Sequence, residues 1–134
     1  MDGSNKRDGN NKQLNVLGGD LEPCRSFEQE NEIVTGFYRD NCCNTGPDDF
    51  GLHTVCCIMT QSFLTFSKSV GNDLSTPIPE YNFKGLREGD HWCLCASRWQ
   101  EAFNAGKAPK VILKSTNIAT ISVVKLEDLK KYSQ

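Results

Sequence analysis

Two stretches of the chain share one pattern, in which an apolar run is followed by apolar positions at helical spacing. In the later stretch, residues 92–96 are apolar enough to predict a short strand. Ser97 is the predicted N-cap of the helix that follows, because its hydroxyl can accept from a free amide of the first turn. Gly106 is predicted to end this helix. One helical face, at i, i+3 and i+4 spacing, carries Trp99, Ala102 and Phe103.

The earlier stretch repeats this order along residues 53–71. Residues 53–59 predict a strand, Thr60 is the predicted N-cap, and Gly71 follows the helix. One face of this helix carries Phe63, Phe66, Ser67 and Val70. We therefore expect two strand–helix units whose aromatic helical faces are buried against a sheet.

The rest of the chain is less regular. Residues 110–114 predict a further strand, and residues 120–124 predict another because they are rich in β-branched side chains. Residues 125–132 predict a short closing helix, whereas residues 72–88 lack any periodicity. The expected fold class is α+β or α/β, a single compact domain with a mixed β-sheet, two or three helices and long ordered loops.

Length and composition are typical of one soluble globular domain. The chain has 134 residues, and its formal net charge is −2 with no cluster of basic residues. We expect a globular domain over residues 14–134, preceded by a polar, disordered tail over residues 1–13. No apolar run reaches the roughly 20 residues that span a bilayer, so neither a membrane nor a nucleic-acid partner is expected. Residues 1–7 lack the apolar region of a signal peptide, which predicts an intracellular protein of the cytoplasm.

Seven cysteines are unusual in a chain of this kind. In a reducing compartment, cysteines are expected to be thiols, metal ligands or catalytic groups before they are disulfides. Structural zinc sites usually place ligand pairs two to four residues apart. Here the pairs are adjacent or one residue apart: Cys42-Cys43, Cys56-Cys57 and Cys93-Leu94-Cys95. We therefore expect free thiols, no metal site and no cofactor, and the odd total argues against a closed disulfide framework.

Cys42 and Cys43 are the best candidates for a catalytic thiol, because two thiols in a polar loop have little use in packing. Arg39 could stabilise a thiolate there, whereas Asp40 would oppose it. His53 is a possible base if the fold brings it within hydrogen-bond reach. The alternative is that one thiol turns inward and the other is incidental, since free cysteine is among the most buried residue types.

Cysteines in the predicted apolar strands are interpreted as packing residues: Cys56, Cys57, Cys93 and Cys95. Cys95 is a partial exception. It directly precedes a predicted helix N-terminus, where the helix dipole favours a thiolate, although burial opposes one.

Two polar loops form the predicted binding surface. We expect the loop at 39–45 and the long, proline-stiffened loop at 72–81 to lie against each other, because a connection of that length is usually functional. The predicted ligand-binding residues are Arg39, Asp40, Asn44, Thr45, Asn72, Asp73, Ser75 and Glu80. Ordinary hydrogen bonding within the loops is the alternative.

Three functions follow from these patterns. The favoured hypothesis is a small binding domain whose polar loop pocket holds a small ligand or a peptide. The second is a thiol-dependent enzyme or redox protein that uses Cys42 or Cys43. The third is a stable structural domain without a ligand.

Five motifs together resemble one widespread family, domain of unknown function 2237. The resemblance covers roughly residues 14–132 and rests on Asn15-Val16-Leu17-Gly18-Gly19, Gly36-Phe37-Tyr38-Arg39-Asp40, Cys42-Cys43-Asn44-Thr45-Gly46, Gly71-Asn72-Asp73-Leu74-Ser75-Thr76-Pro77 and Trp92-Cys93-Leu94-Cys95-Ala96. It implies no assigned activity, so no catalytic residue is carried over. Cys57 and His91 depart from the usual pattern of the family, which makes them poor candidates for shared chemistry.

Overall fold

A computed structural model describes residues 12–25 and 34–134 of the chain. Within that part, the sheet has three strands in the order β2–β1–β3, namely β1 (His53–Ile58), β2 (His91–Cys95) and β3 (Lys110–Val111). The α-helices of the same part are α1 (Gln61–Ser69), α2 (Ala96–Asn104) and α3 (Leu126–Lys131). The predicted α+β class is confirmed.

The sheet differs from the prediction in its strand directions. Both strand pairs, β1 with β2 and β1 with β3, are antiparallel, so the sheet is not built as a mixed one. A parallel bridge between Val111 and Ser133 adjoins the outer edge at β3. β1 occupies the centre because its four inner residues are all buried, as expected for a strand covered on both faces.

β1 separates two interior clusters. Alternate side chains of a strand point to opposite faces, so Val55 and Cys57 lie in the main core while Cys56 lies in a second cluster. The main core includes Trp99, which is fully buried and donates from its indole Nε1 to the carbonyl of Pro109. The predicted apolar face of α2 is therefore buried as expected. The second cluster consists mainly of cysteines.

The helix ends are partly as predicted. Thr60 caps α1, its Oγ1 accepting from the Phe63 amide at 3.1 Å. Gly106 follows α2 with a φ of +73°, a left-handed conformation that favours glycine. The prediction that Ser97 caps α2 is wrong, because α2 begins at Ala96 and the residue before it, Cys95, provides no side-chain cap. β2 runs directly into α2, and the Ala96 amide donates instead to the carbonyl of Leu52.

Of two predicted strands, one is absent and the other is shorter than predicted. Residues 120–124 are not a strand, since Ile118–Ser122 forms a 3-10 helix whose Thr120 hydroxyl bonds the Thr54 hydroxyl at 2.7 Å. This buried contact overrides the β-propensity of the segment. The strand predicted at 110–114 is confined to Lys110–Val111. The closing helix is confirmed as α3, with Leu129 fully buried.

Two disulfides contradict the expectation of free thiols. Cys24 is bonded to Cys56, and Cys43 is bonded to Cys93. The adjacent pairs in the sequence do not bond to each other, because each sends its two side chains to different surroundings. Three cysteines remain free: Cys42, Cys57 and Cys95.

Most of the predicted tail lies outside the described residues, and so do residues 26–33. Within the described part, Gln13 is paired with the backbone of Thr45, donating to its carbonyl and accepting from its amide. No helix in the described ranges is long and apolar enough to cross a membrane.

Candidate functional site

His53 and Cys95 face each other across the sheet. They are register partners at the ends of β1 and β2. Directly opposite residues of an antiparallel pair have Cβ atoms about 4.5–5.5 Å apart and project from the same face. The ladder is irregular at this point, because Thr54 is an extra residue of β1 between the partners of Leu94 and Cys95. Such a bulge re-aims the neighbouring side chains.

Asp49 fixes the orientation of the His53 ring. Its carboxylate is fully buried, and Oδ1 lies 2.6 Å from Nδ1 of His53. Its Oδ2 accepts the backbone amide of His53 at 2.9 Å and the hydroxyl of Thr45 at 3.0 Å. A carboxylate only accepts hydrogen bonds, so Nδ1 carries a proton, and in the neutral imidazole Nε2 then presents its lone pair. This is the tautomer that a general base requires.

The loop before β1 is shaped to hold this ring. A side chain at Gly51 would place its Cβ 2.8 Å from Cε1 of His53, so only glycine leaves room for the imidazole. Phe37 stacks against the other side, with ring centroids 5.9 Å apart and planes at 21°. The imidazole is therefore held by a buried carboxylate, a glycine and an aromatic ring.

Cys95 lies at the junction of β2 and α2. Its thiol is free and half-buried, and its Sγ is 3.2 Å from Oγ of Ser97. The residue occupies the N-cap position of α2, a helix of nine residues. Its register partner across the ladder is His53.

His53 and Cys95 open into one cavity of about 460 Å³, which we call the thiol cavity. Among the described residues that line it, two are arginines and none is acidic. The lining residues are Gly36, Phe37, Arg39, His53, Asn72, Leu74, Trp92, Cys93, Leu94, Cys95 and Arg98. The described lining thus carries two guanidinium groups and no carboxylate, in a chain whose net charge is −2.

The two arginines are held differently. Arg39 donates from Nη1 to the carbonyl of Gly36 at 2.6 Å, and its guanidinium lies over the Trp92 ring, 5.7 Å from the centroid. Arg98 is paired with Glu101 at 3.2 Å, but both side chains are exposed by about a third or more. Solvent weakens such a pair, so Arg98 can turn to an anion in the cavity at little cost.

A second cavity of about 660 Å³, the loop groove, adjoins the thiol cavity. The two cavities share Arg39, Leu74 and Trp92. The loop groove is further lined by Val34, Asp73, Ile78, Tyr81, Asn82, Phe83 and Lys84. Tyr81 is 80% exposed at its rim. The groove extends the thiol cavity along the long loop after α1, and the two predicted loops border the same cavities.

The structure separates the two thiols of the Cys42-Cys43 pair. Cys43 is buried and disulfide-bonded to Cys93, so it offers no free thiol in this structure. Cys42 is free, but burial raises the pKa of its thiol and the nearby Asp40 carboxylate raises it further. Asp40 also accepts the backbone amide of Cys42. Cys42 is consequently a poor source of thiolate at neutral pH.

The predicted ligand-binding residues divide into two groups. Arg39 and Asn72 line the thiol cavity, and Asp73 lines the loop groove. The others are engaged within their own loops or lie outside both cavities. Asn44 donates to Asp40 at 3.0 Å, Thr45 donates to Asp49, Ser75 donates to Asp73, and Glu80 is exposed and borders neither cavity.

Asp73 organises the start of the long loop. Its carboxylate accepts the Thr76 hydroxyl at 2.6 Å and the Ser75 amide at 3.0 Å. These two hydrogen bonds are the main causes that lower the pKa of Asp73 to about 2. The side chain is half-buried, and its hydrogen bonds fix the loop.

Sequence reasoning missed Asp49, Arg98 and Trp92 and treated Cys95 as a packing residue with one reservation. The spacing of Asp49 and His53, four residues apart before a strand, is a weak signal that could have been noticed. The opposition of His53 and Cys95 depends on the register and the bulge at Thr54, and no sequence pattern encodes it. Arg98 looks like an ordinary surface residue of an amphipathic helix.

Comparison with curated proteins gives no match. A family model matches residues 14–133, nearly the whole chain, under the description "Uncharacterized protein conserved in bacteria". That match assigns no activity, so the chemistry must be argued from the site itself. It agrees with the resemblance carried by the five motifs, and the chain belongs to this family, domain of unknown function 2237.

Proposed function

We propose that the protein is a thiol-dependent enzyme in which Cys95 is the nucleophile, His53 the general base and Asp49 the residue that positions His53. The observation that carries this proposal is the register pairing of His53 with Cys95 at one cavity, with Nδ1 of the imidazole bound to a buried carboxylate. A nucleophile, a base and an orienting group are the three parts that such catalysis requires.

The reaction class that fits these parts is acyl transfer. Nε2 of His53 takes the proton of the Cys95 thiol, and Sγ attacks the carbonyl carbon of an ester, thioester or amide. The bond to the leaving group breaks, the protonated His53 returns the proton to that group, and an acyl-thioester on Cys95 remains. Water or a second acceptor, deprotonated by His53, then releases the acyl group and restores the thiol.

The two arginines of the thiol cavity support an anionic substrate. Arg39 and Arg98 flank the thiol cavity without an acidic neighbour among its described lining residues. Guanidinium groups bind carboxylates and phosphates in bidentate fashion. The loop groove, with Tyr81 and Trp92, offers apolar and aromatic surface for the remainder of the molecule. The proposed substrate is therefore a small ligand or peptide that carries a carboxylate or phosphate near the reacting carbonyl.

The first experiment compares the alkylation rates of the three free cysteines across pH by peptide mass spectrometry. We expect Cys95 to react fastest at neutral pH, because a base promotes its thiolate. His53→Gln should slow the reaction of Cys95 and leave that of Cys42 unchanged. Equal rates for Cys95 and Cys42, or no effect of His53→Gln, would refute the assignment of Cys95 and His53.

The second experiment measures the burst of product from an activated ester such as p-nitrophenyl acetate. We expect an acyl-enzyme that is absent in Cys95→Ser and slowed roughly 100-fold or more in His53→Gln, the usual contribution of a general base. Cys42→Ser is the matched control and should keep the full burst. A burst that survives Cys95→Ser would assign the acyl group to another residue and overturn the proposal.

A binding domain without chemistry is the second candidate function, and the loop groove favours it. Its volume of about 660 Å³ is within the range of small-molecule sites. A ligand that perturbs NMR signals of Trp92 and Tyr81, binds equally to Cys95→Ala and is never turned over would support this candidate. A ligand that is consumed only when Cys95 is present would support the enzyme.

We also propose that the protein works inside the cell, in the cytoplasm. The half-buried thiols of Cys42 and Cys95 support this, because such thiols persist in a reducing compartment. Cell fractionation followed by rapid thiol trapping tests the location, and a periplasmic or secreted pool would overturn it.

A further inference from the structure

Four cysteines from four separate segments meet in one buried cluster. Cys24, Cys43, Cys56 and Cys93 are each no more than 2% exposed. The sulfur atoms of Cys24, Cys43 and Cys93 lie within 4.8 Å of one another, and that of Cys56 is bonded to Cys24. The proposed nucleophile is not a member of the cluster, and Cys93 is the member that also lines the thiol cavity.

The strand members of the cluster are held in place without the disulfides. Cys56 and Cys93 are register partners of the β1–β2 ladder. The Cys56 amide donates to the Thr116 hydroxyl at 3.1 Å, and the Cys93 amide donates to the Thr35 hydroxyl at 2.8 Å. Reduction of either S–S bond leaves these contacts intact.

The loop members are held in the same way. The Cys24 amide donates to the carbonyl of Asn41 at 2.8 Å. The carbonyl of Cys43 accepts from the side-chain amide of Asn117 at 3.1 Å. All four Cα atoms are thus tied to the fold by hydrogen bonds that do not involve sulfur, so four thiols would stay together after reduction.

From this arrangement we propose that the reduced protein binds one Zn²⁺ through Cys24, Cys43, Cys56 and Cys93, a site that excludes both disulfides. Four thiolates in a tetrahedron at about 2.3 Å from zinc lie roughly 3.8 Å apart. The sulfur of Cys24 already lies within about 1 Å of that spacing from those of Cys43 and Cys93, and Cys56 is joined to Cys24. A closed, buried, four-cysteine site is the usual form of structural zinc.

Each disulfide takes two electrons and two protons from a dithiol or phosphine reductant, which is itself oxidised, and gives two thiols. The four thiols then lose four protons as their thiolates bind the cation. In the reverse direction, an oxidant that removes four electrons reforms the two disulfides and expels the zinc.

This inference overrides an expectation drawn from spacing. Zinc knuckles take two ligands from one turn, and no pair in the sequence has that spacing. Here each ligand comes from a different segment, and only the fold brings the four together. Sequence spacing alone therefore had no bearing on such a site.

The test uses the full chain reduced by a phosphine without oxygen, desalted and titrated with Co²⁺ and then with Zn²⁺. We expect one equivalent of cobalt to give the thiolate charge-transfer and tetrahedral d–d absorption of a four-cysteine site, and zinc to displace it. Oxidised protein should show neither signal. Reduced, folded protein that binds no cobalt would overturn the proposal.

Variants locate the site. Cys56→Ser should abolish or distort the cobalt spectrum, whereas Cys57→Ser and Cys42→Ser should leave it unchanged, because neither belongs to the cluster. The wild-type chain gives an independent readout if Cys56→Ser does not fold. Bound zinc should protect Cys24, Cys43, Cys56 and Cys93 from alkylation, and equal labelling with and without zinc would refute the site.

Discussion

The buried carboxylate of Asp49 and the imidazole of His53 form a 2.6 Å hydrogen bond between residues only four apart in the chain. The same carboxylate accepts the backbone amide of His53. One side chain therefore fixes both the ring and the backbone that carries it. This pairing underlies the first prediction.

Asp49→Asn should markedly slow the alkylation of Cys95 and have only a small effect on the free energy of unfolding. An asparagine can donate its amide to Nδ1, which moves the ring proton to Nε2 and removes the base. Asp49→Ala should in addition destabilise the fold by about 1.5–3 kcal/mol, the range for hydrogen bonds to a charged group. Alkylation kinetics and urea unfolding measure the two effects. Full Cys95 reactivity in folded Asp49→Asn would contradict the role given to Asp49.

The second prediction concerns α2. Trp99→Ala should lower the free energy of unfolding by about 3–5 kcal/mol, because it empties the space of a fully buried aromatic ring. Thr60→Ala should cost about 1 kcal/mol, since that hydroxyl caps α1. Ser97→Ala is the matched control and should change stability by less than about 0.5 kcal/mol. A Ser97 effect as large as that of Thr60 would contradict the observed start of α2.

The third prediction is a pH dependence that arises from Asp73. Its pKa is lowered from 3.8 to about 2 in the folded chain, so folding favours the ionised form. The stability that this carboxylate contributes is complete above its unfolded pKa and is lost as pH falls from about 4 to 2. Denaturation at a series of pH values should show the difference between wild type and Asp73→Asn shrinking over that window. A constant difference would show that the hydrogen bonds to Ser75 and Thr76 do not hold the loop.

The fourth prediction concerns the disulfides. The bonds Cys43–Cys93 and Cys24–Cys56 close loops with sequence separations of 50 and 32 residues. Removing either by a double Cys→Ser substitution should lower stability by roughly 2–4 kcal/mol through the greater freedom of the unfolded chain. Cys42→Ser removes a thiol outside both bonds and should change stability by less than about 0.5 kcal/mol. If the double Cys→Ser variants and Cys42→Ser change the free energy of unfolding by equally small amounts in metal-free, oxidised protein, the disulfides add nothing to stability.

Local features of the fold were predictable because they depend on neighbours in the chain. The helical spacing of Trp99, Ala102 and Phe103 identified a buried face, and the hydroxyl of Thr60 identified a helix start. Ser97 failed because β2 enters α2 without a turn, so the first amide finds the carbonyl of Leu52 and needs no cap. Residues 120–124 failed because a contact with distant Thr54 decided their conformation.

The candidate site was predicted in part for the same reason. His53 was identified as a possible base from its residue type and position, and Arg39 and Asn72 from their polar loops. The sequence favours Cys42 or Cys43 as the nucleophile, because two adjacent thiols in a polar loop have little use in packing. In the structure, however, Cys43 is disulfide-bonded to Cys93, 50 residues away. Pairing across such a distance leaves no trace in the local pattern.

The bulge at Thr54 decides which residue of β1 is the register partner of Cys95. From Cys93 to Cys95, β2 advances two residues, while β1 advances three from Cys56 to His53. In a regular ladder of the same sequence, Thr54 would stand opposite Cys95 and His53 would lie beyond the end of the pair. Such a change of register would alter neither the composition nor the pairs from Val55 onward, yet the proposed nucleophile and base would no longer be partners. Substitutions at Thr54 that remove the bulge should therefore affect the pairing of His53 with Cys95 more than they affect the rest of the sheet.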